Sequence, residues 1–240
     1  MTLAHEDAVI TWTEPEPIPL RATVIVLPGR GESASVYERL GRRLANDAYR
    51  VHALDDRTRA VEFLAKADPE KPRVVIGSDA GAAYAAHLAA AGALDGADAL
   101  ILAGLPTAAA AAPARDWEGE LDARTSCPTH RGRISREGVR PGELFTDLPA
   151  AWFDPAVPTR IALPVLGLHG RADGISPLET ARSWYAAVPR AELISVAGAP
   201  HDVLNDQTHR TVAASVVLFL ERLRLGADLA PIAYTERTLP

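Results

Sequence analysis

The chain has 240 residues, 48% of them apolar and 23% charged, with a formal charge of −6. Those values suit one domain with a sizeable core and exclude a disordered or fibrous chain. No apolar run reaches the roughly 18 residues of a membrane span, and a net acidic chain lacks the basic footprint of a nucleic-acid binder.

At the start, His5, Glu6 and Asp7 stand where a secretory leader would carry basic residues and then an apolar stretch. The single cysteine, Cys127, cannot close an internal disulfide, and no zinc-ligand spacing accompanies it. The expectation is a cytoplasmic protein with no metal, no cofactor and no membrane or nucleic-acid partner. Its oligomeric state is left open.

Residues 21–27 (RATVIVL) are a short β-branched run ending in Pro28-Gly29-Arg30-Gly31, which predicts a buried strand and a turn. Ser33 or Ser35 is placed to cap a helix with Val36, Leu40 and Leu44 on one face. Residues 49–54 read as a strand, 58–67 as a helix, 73–76 as a strand, 81–91 as an alanine-rich helix stopped by Gly92, and 99–103 as a strand. The alternation resumes with strand 165–168, helix 178–187 opened by Pro177, strand 191–196 and a long last helix over 206–225. Buried strands alternating with helices predict an α/β fold, a mostly parallel sheet flanked by helices, with its chemistry at the carboxyl ends of the strands.

Residues 105–160 break that rhythm with an alanine run, dense charge and several prolines. A long insert between core strands predicts a small, mainly helical cap, with a disordered excursion as the alternative. The expected division is a core of residues 1–104 and 161–240 and a cap of residues 105–160.

Three turns at predicted strand ends carry chemistry in a fixed order. Gly77-Ser78-Asp79-Ala80-Gly81 joins a strand directly to a helix through small residues, as a strained G-x-S-x-G elbow does, with aspartate at the centre. Leu168-His169-Gly170-Arg171-Ala172-Asp173-Gly174 supplies an acid. Gly198-Ala199-Pro200-His201-Asp202-Val203-Leu204-Asn205 supplies a histidine before the last helix.

With VIVLPGRGES ahead of them, these motifs make the chain resemble the α/β-hydrolase superfamily over most of its length, in the order nucleophile, acid, histidine. The resemblance implies that Asp79 is the nucleophile, His201 the base and Asp173 its orienting carboxylate, with the Arg30 and Ala80 backbone N–H groups as oxyanion donors. Two residues depart from the usual pattern: Pro28 precedes the oxyanion glycine, and Asp79 replaces serine. Family branches with aspartate in the elbow, epoxide hydrolases and dehalogenases, attack carbon through the carboxylate and then hydrolyse the ester. Residues 105–160 hold no tyrosine to grip an epoxide, and Ala80 stands where dehalogenases often place tryptophan.

The implied activity is therefore hydrolysis of a small organic molecule, with epoxide, halide, ester, lactone and thioester all open. A catalytically inactive binding or interaction protein of the same fold is the alternative, as is a lyase or isomerase using the pocket for proton transfer. In the non-catalytic binding protein Asp79 is a relic that merely pairs with His201, and the plainer reading of Asp173 with His201 is a structural ion pair. Asp202 reads as a solvated neighbour of His201. Trp117 and Trp152 are candidate substrate contacts. Arg131 and Arg133, grouped with Arg136 and Arg140, suit an anionic substrate or, more simply, a solvated face balanced by Glu137 and Glu143. Cys127 and His130 read as packing residues.

Overall fold

A computed structural model describes residues 8–136, 139–234 and 236 of the chain. The leader reading at His5, Glu6 and Asp7, and the charge balance expected from Glu137, lie outside the described residues.

Six strands follow the predicted alternation: β2 (Ala22–Leu27), β3 (Tyr49–Leu54), β4 (Arg73–Ser78), β5 (Ala99–Ala103), β6 (Val165–Gly170) and β7 (Ala191–Val196). A further strand, β1 (Val9–Trp12), pairs antiparallel with β3 at one edge. The sheet order is β1-β3-β2-β4-β5-β6-β7, and every pairing except that of β1 is parallel. Successive side chains of β2 serve both faces. Val24 and Val26 enter one apolar cluster, while Ile25 and Leu27 enter the other, so the run has no polar alternation.

Helices α1 (Glu38–Asn46) and α8 (His209–Leu225) cover the first face. Helices α2 (Ala60–Lys66), α3 (Ala80–Ala90) and, later in the chain, α7 (Leu178–Ala186) cover the second. The approach of α1 differs from expectation. Residues Ala34–Tyr37 form a 3-10 turn, and neither serine caps it: the Ser33 and Ser35 hydroxyls bond each other at 2.8 Å, and Asp55 Oδ1 accepts from the Ala34 amide at 2.5 Å. A carboxylate arriving from the end of β3 thus takes the role that local sequence offered to serine. Among the described residues no helix is long and apolar enough to cross a membrane.

Between β5 and β6 the chain forms α4 (Trp117–Arg124), α5 (Pro128–Ile134), short 3-10 turns at Glu143–Phe145 and Ala150–Phe153, and α6 (Val157–Arg160). Asp116 caps α4 by accepting from the Gly119 amide at 2.9 Å. The α4 end is tied to the loop before α8. The His201 amide donates to the Ala123 carbonyl at 3.2 Å, the Asp202 amide to the Arg124 carbonyl at 2.8 Å, and Asp206 accepts from Thr125 Oγ1 and the Ser126 amide. The part beyond α5 meets the core through other contacts, a bridge between Glu32 and Val139 and a bond from the Arg140 amide to the Gly31 carbonyl at 2.9 Å.

Candidate functional site

The β4–α3 junction holds Asp79 at φ 46, ψ −116, a conformation that costs a non-glycine residue of the order of 1–3 kcal/mol. It persists because both sides of the turn are bonded. The Asp79 amide donates to the Ala103 carbonyl at 3.0 Å, and the Asp79 carbonyl accepts from the Ala82 amide at 2.9 Å. Close approach fixes Gly81, where a Cβ would stand 2.1 Å from the Leu27 carbonyl oxygen. The β2 turn and the elbow are therefore pressed together, and the Arg30 side chain falls across Asp79.

Asp79, His201 and Asp173 meet at the carboxyl ends of β4 and β6 and in the loop before α8. His201 Nε2 lies 3.1 Å from Asp79 Oδ1, and His201 Nδ1 lies 2.8 Å from Asp173 Oδ2. Asp173 is itself held firmly. Its Oδ1 accepts from the Ile175 and Ser176 amides at 2.9 Å each, and its Oδ2 sits 3.2 Å from His169 Nε2, which also donates to the Ser176 carbonyl at 2.7 Å. His169 is a component of the site to which the sequence reading gave no role. Its place in the acid motif, four residues before Asp173, was the available signal.

The Arg30 side chain is the larger addition. Its Nη2 reaches Asp79 Oδ1 at 2.8 Å and its Nε reaches Oδ2 at 2.9 Å, a forked ion pair, and the Arg30 amide donates to the same Oδ2 at 2.8 Å. The backbone N–H expected to serve as an oxyanion donor is thus occupied by Asp79 itself. Ala80, the other expected donor, is fully buried at the start of α3. Arg30 Nη1 donates in addition to the Thr146 carbonyl at 2.8 Å, fastening the turn to the inserted segment. Asp79 is only 2% exposed, and His201 only 3%.

Behind this pair lies a second buried ionic group. Arg124 donates to Glu120 Oε1 at 2.8 Å, to Glu32 Oε1 at 3.1 Å and to the Arg30 carbonyl at 2.9 Å. Glu32 also accepts from the Gly29 amide at 3.0 Å and from the Tyr37 hydroxyl. Glu120 accepts from the Gly142 amide at 2.5 Å. Glu120 lies one helical turn before Arg124 on α4, whereas Glu32 and Arg30 are distant from it in sequence, so no local motif announces that contact.

The charge states follow from the geometry. Burial alone would raise the Asp79 carboxyl, but the Arg30 guanidinium and the His201 imidazolium overcome it and hold it well below the usual carboxylate range. Burial alone would lower His201, yet the carboxylates of Asp173 and Asp79 push it up to about 10. Asp173 is likewise held down, against burial, by His201 and His169. At neutral pH the site is therefore carboxylate, imidazolium, carboxylate, with a guanidinium across the first.

The other candidate contacts do not converge on Asp79. Trp117 packs beside the first apolar cluster, and Trp152 lies against Tyr84 at 5.2 Å in the second. Arg131 pairs with Glu118 at 2.9 Å and with Asp122, while Arg133 pairs with Glu38 at 2.6 Å. Asp202 corrects its expectation, being buried rather than solvated and bonded to His130 Nε2 at 2.6 Å. Cys127 is buried at the start of α5, and among the described residues no cluster of His, Cys, Asp and Glu is arranged to hold a metal.

No family model matches the sequence. Solved structures do match the fold. A soluble variant of monoglyceride lipase from Saccharomyces cerevisiae, in complex with a substrate analogue, is similar at a TM-score of 0.72 and 15% identity, with 89% of this chain and 91% of that one covered. Monoacylglycerol lipase from Paleococcus ferrophilus gives 0.71 and 17% identity over 94% of this chain and 100% of that one. A thioesterase domain from the curacin biosynthetic pathway gives 0.66 and 14% over 87% and 94%. The chain has the α/β-hydrolase fold.

Proposed function

We propose that the protein is an ester or thioester hydrolase in which Asp79, His201 and Asp173 act together, and that Arg30 latches the site in its resting state. The observation that carries this reading is the unbroken hydrogen-bonded series from Asp79 Oδ1 through His201 to Asp173, set on a strained elbow at the strand ends. The fold shared with lipases and a thioesterase favours acyl substrates over epoxides and halides.

Chemistry begins when Arg30 leaves Asp79. The freed Oδ1 attacks the substrate carbonyl, and protonated His201 gives its proton to the departing alkoxide or thiolate. The resulting mixed anhydride has no charge on Asp79, so one of the two carboxylates that held the proton on His201 is gone. His201 then takes a proton from water, hydroxide opens the anhydride, and the acid product leaves with Asp79 and imidazolium restored. Residues 105–160 act as the lid in this reading. Its α4 end stays bonded to the histidine loop, and the stretch around Thr146, joined to Arg30 through one carbonyl, is the part that moves.

The forked Arg30–Asp79 pair also favours a second reading, a catalytically silent protein in which the pair is structural. A panel of 4-nitrophenyl esters and acyl thioesters, assayed with wild type, Asp79→Asn and Arg30→Ala, separates the two. The hydrolase reading expects Asp79→Asn to lose about a thousandfold or more in kcat/KM and Arg30→Ala to lower KM. Absence of turnover in wild type and Arg30→Ala alike, or equal rates in wild type and Asp79→Asn, would remove Asp79 from any mechanism.

A further inference from the structure

The arginine-rich stretch singled out in the sequence divides in the structure. Arg131 is taken up by Glu118 and Asp122, and Arg140 lies beside Glu143. Arg133 and Arg136 instead line a surface depression of about 260 Å³ together with Glu38, Arg39, Thr129 and His130. It opens on the side of the molecule formed by α1 and α5, and it does not include Asp79, His201 or Asp173.

Its charge is unbalanced. Among the described residues Glu38 is the lone carboxylate in the lining, and it is shared between Arg42 and Arg133. Arg39 donates to the Cys127 sulfur at 3.6 Å and to the Asn205 carbonyl, neither of them an anion. Arg136 is exposed and pairs with no carboxylate among the described residues. Two buried side-chain nitrogens are also without partners among the described residues. His130 is 1% exposed with Nε2 turned to Asp202 and Nδ1 left without a partner, and Arg133 Nε has none either. Buried polar atoms in native proteins are ordinarily satisfied, so two unpartnered atoms on residues that line one depression point to a missing partner. The surrounding field agrees: burial, followed by the charges of Arg39, Arg43, Arg210 and His130, lowers nearby His209.

We propose that this depression binds a phosphate group, either inorganic phosphate or the terminal phosphate of a small metabolite. Three guanidinium groups offer planar forks suited to phosphate oxygens, and His130 Nδ1 supplies a further contact. Asp202 holds the opposite edge of that ring, so its direction is set before the ligand arrives. The volume admits a phosphate with room for a small substituent. The site stands independently of the hydrolase reading.

Calorimetric titration of the full chain with inorganic phosphate and with pyrophosphate, against sodium chloride at matched ionic strength, tests it. Saturable binding is expected, weakened about tenfold or more by Arg133→Ala and by Arg136→Ala. Arg131→Ala should bind as wild type does. Tighter binding of pyrophosphate would identify a terminal phosphate as the ligand, and equal or tighter binding of phosphate the inorganic ion. No saturable binding of either probe, binding that survives both substitutions unchanged, or an equal loss in Arg131→Ala would overturn the proposal. Arg136 makes no side-chain hydrogen bond or ion pair among the described residues, so its variant separates lost binding from lost folding.

Discussion

Two buried histidines bonded to aspartates flank one loop, and they are built differently. His201 has both ring nitrogens engaged by carboxylates, Asp79 on one side and Asp173 on the other, and is pushed up to about 10. His130 has one carboxylate, Asp202, and an unpartnered Nδ1 beside a basic depression. Asp202 follows His201 directly, so a single turn of chain serves both arrangements. The first is a closed electrostatic unit whose charges satisfy one another. The second is open on one side, and its imbalance is the signature of something that arrives from solution.

The difference is sharpest when the aspartates are neutralised. Asp173→Asn removes the charge facing His201 and His169 and weakens the acceptor for two backbone amides. A loss of about 3–5 kcal/mol in urea unfolding is expected, because the imidazolium is left buried without its main partner. Asp202→Asn takes one carboxylate from His130, while Asn205 gives it only long contacts of 3.3 Å. A loss of about 1–2 kcal/mol is expected there. Equal losses would erase the distinction between a closed and an open site.

Titration gives a second, smaller contrast. His201 moves from an ordinary 6.5 to about 10 on folding, so the folded chain keeps a proton that the unfolded chain releases between those values. Its contribution to stability is complete below pH 6.5 and is lost as pH rises through about 10. Wild type should lose stability to alkali across that window, and His201→Asn should show a flatter profile in chemical unfolding at a series of pH values. Parallel profiles would show that the proton is not held as the two carboxylates require.

Much of this architecture is legible in the sequence because it is local. The strand over 99–103 and the strand over 191–196 are placed to the residue, the first because an apolar run bounded by turn residues states its own limits. The three turns that bring Asp79, Asp173 and His201 together are likewise contiguous motifs. Strand β1 is not legible, because its four residues show too little alternation to stand out from an irregular start. Side-chain pairings between distant segments are the least legible. The sequence points to Arg30 through its backbone amide alone, yet its guanidinium crosses to Asp79, and Arg124 on α4 reaches Glu32 and the Arg30 carbonyl in the turn after β2. Spacing cannot encode such contacts, because the sheet order and not the sequence interval makes these residues neighbours.

The smallest effect tests the open site most directly. An arginine that holds a fold together should cost stability when removed, as Arg124 should, since its loss strands two buried glutamates. Arg136 has no such duty. It is exposed, beside Arg39 and Arg133 in a lining with one carboxylate among the described residues, so Arg136→Ala should change unfolding free energy by no more than about 0.5 kcal/mol. Addition of phosphate should then raise the thermal midpoint of wild type more than that of the variant, because a ligand stabilises in proportion to how far its concentration exceeds its dissociation constant. A variant that unfolds much more readily without phosphate would mark Arg136 as part of the scaffold and place the depression among the self-satisfied charges that surround His201.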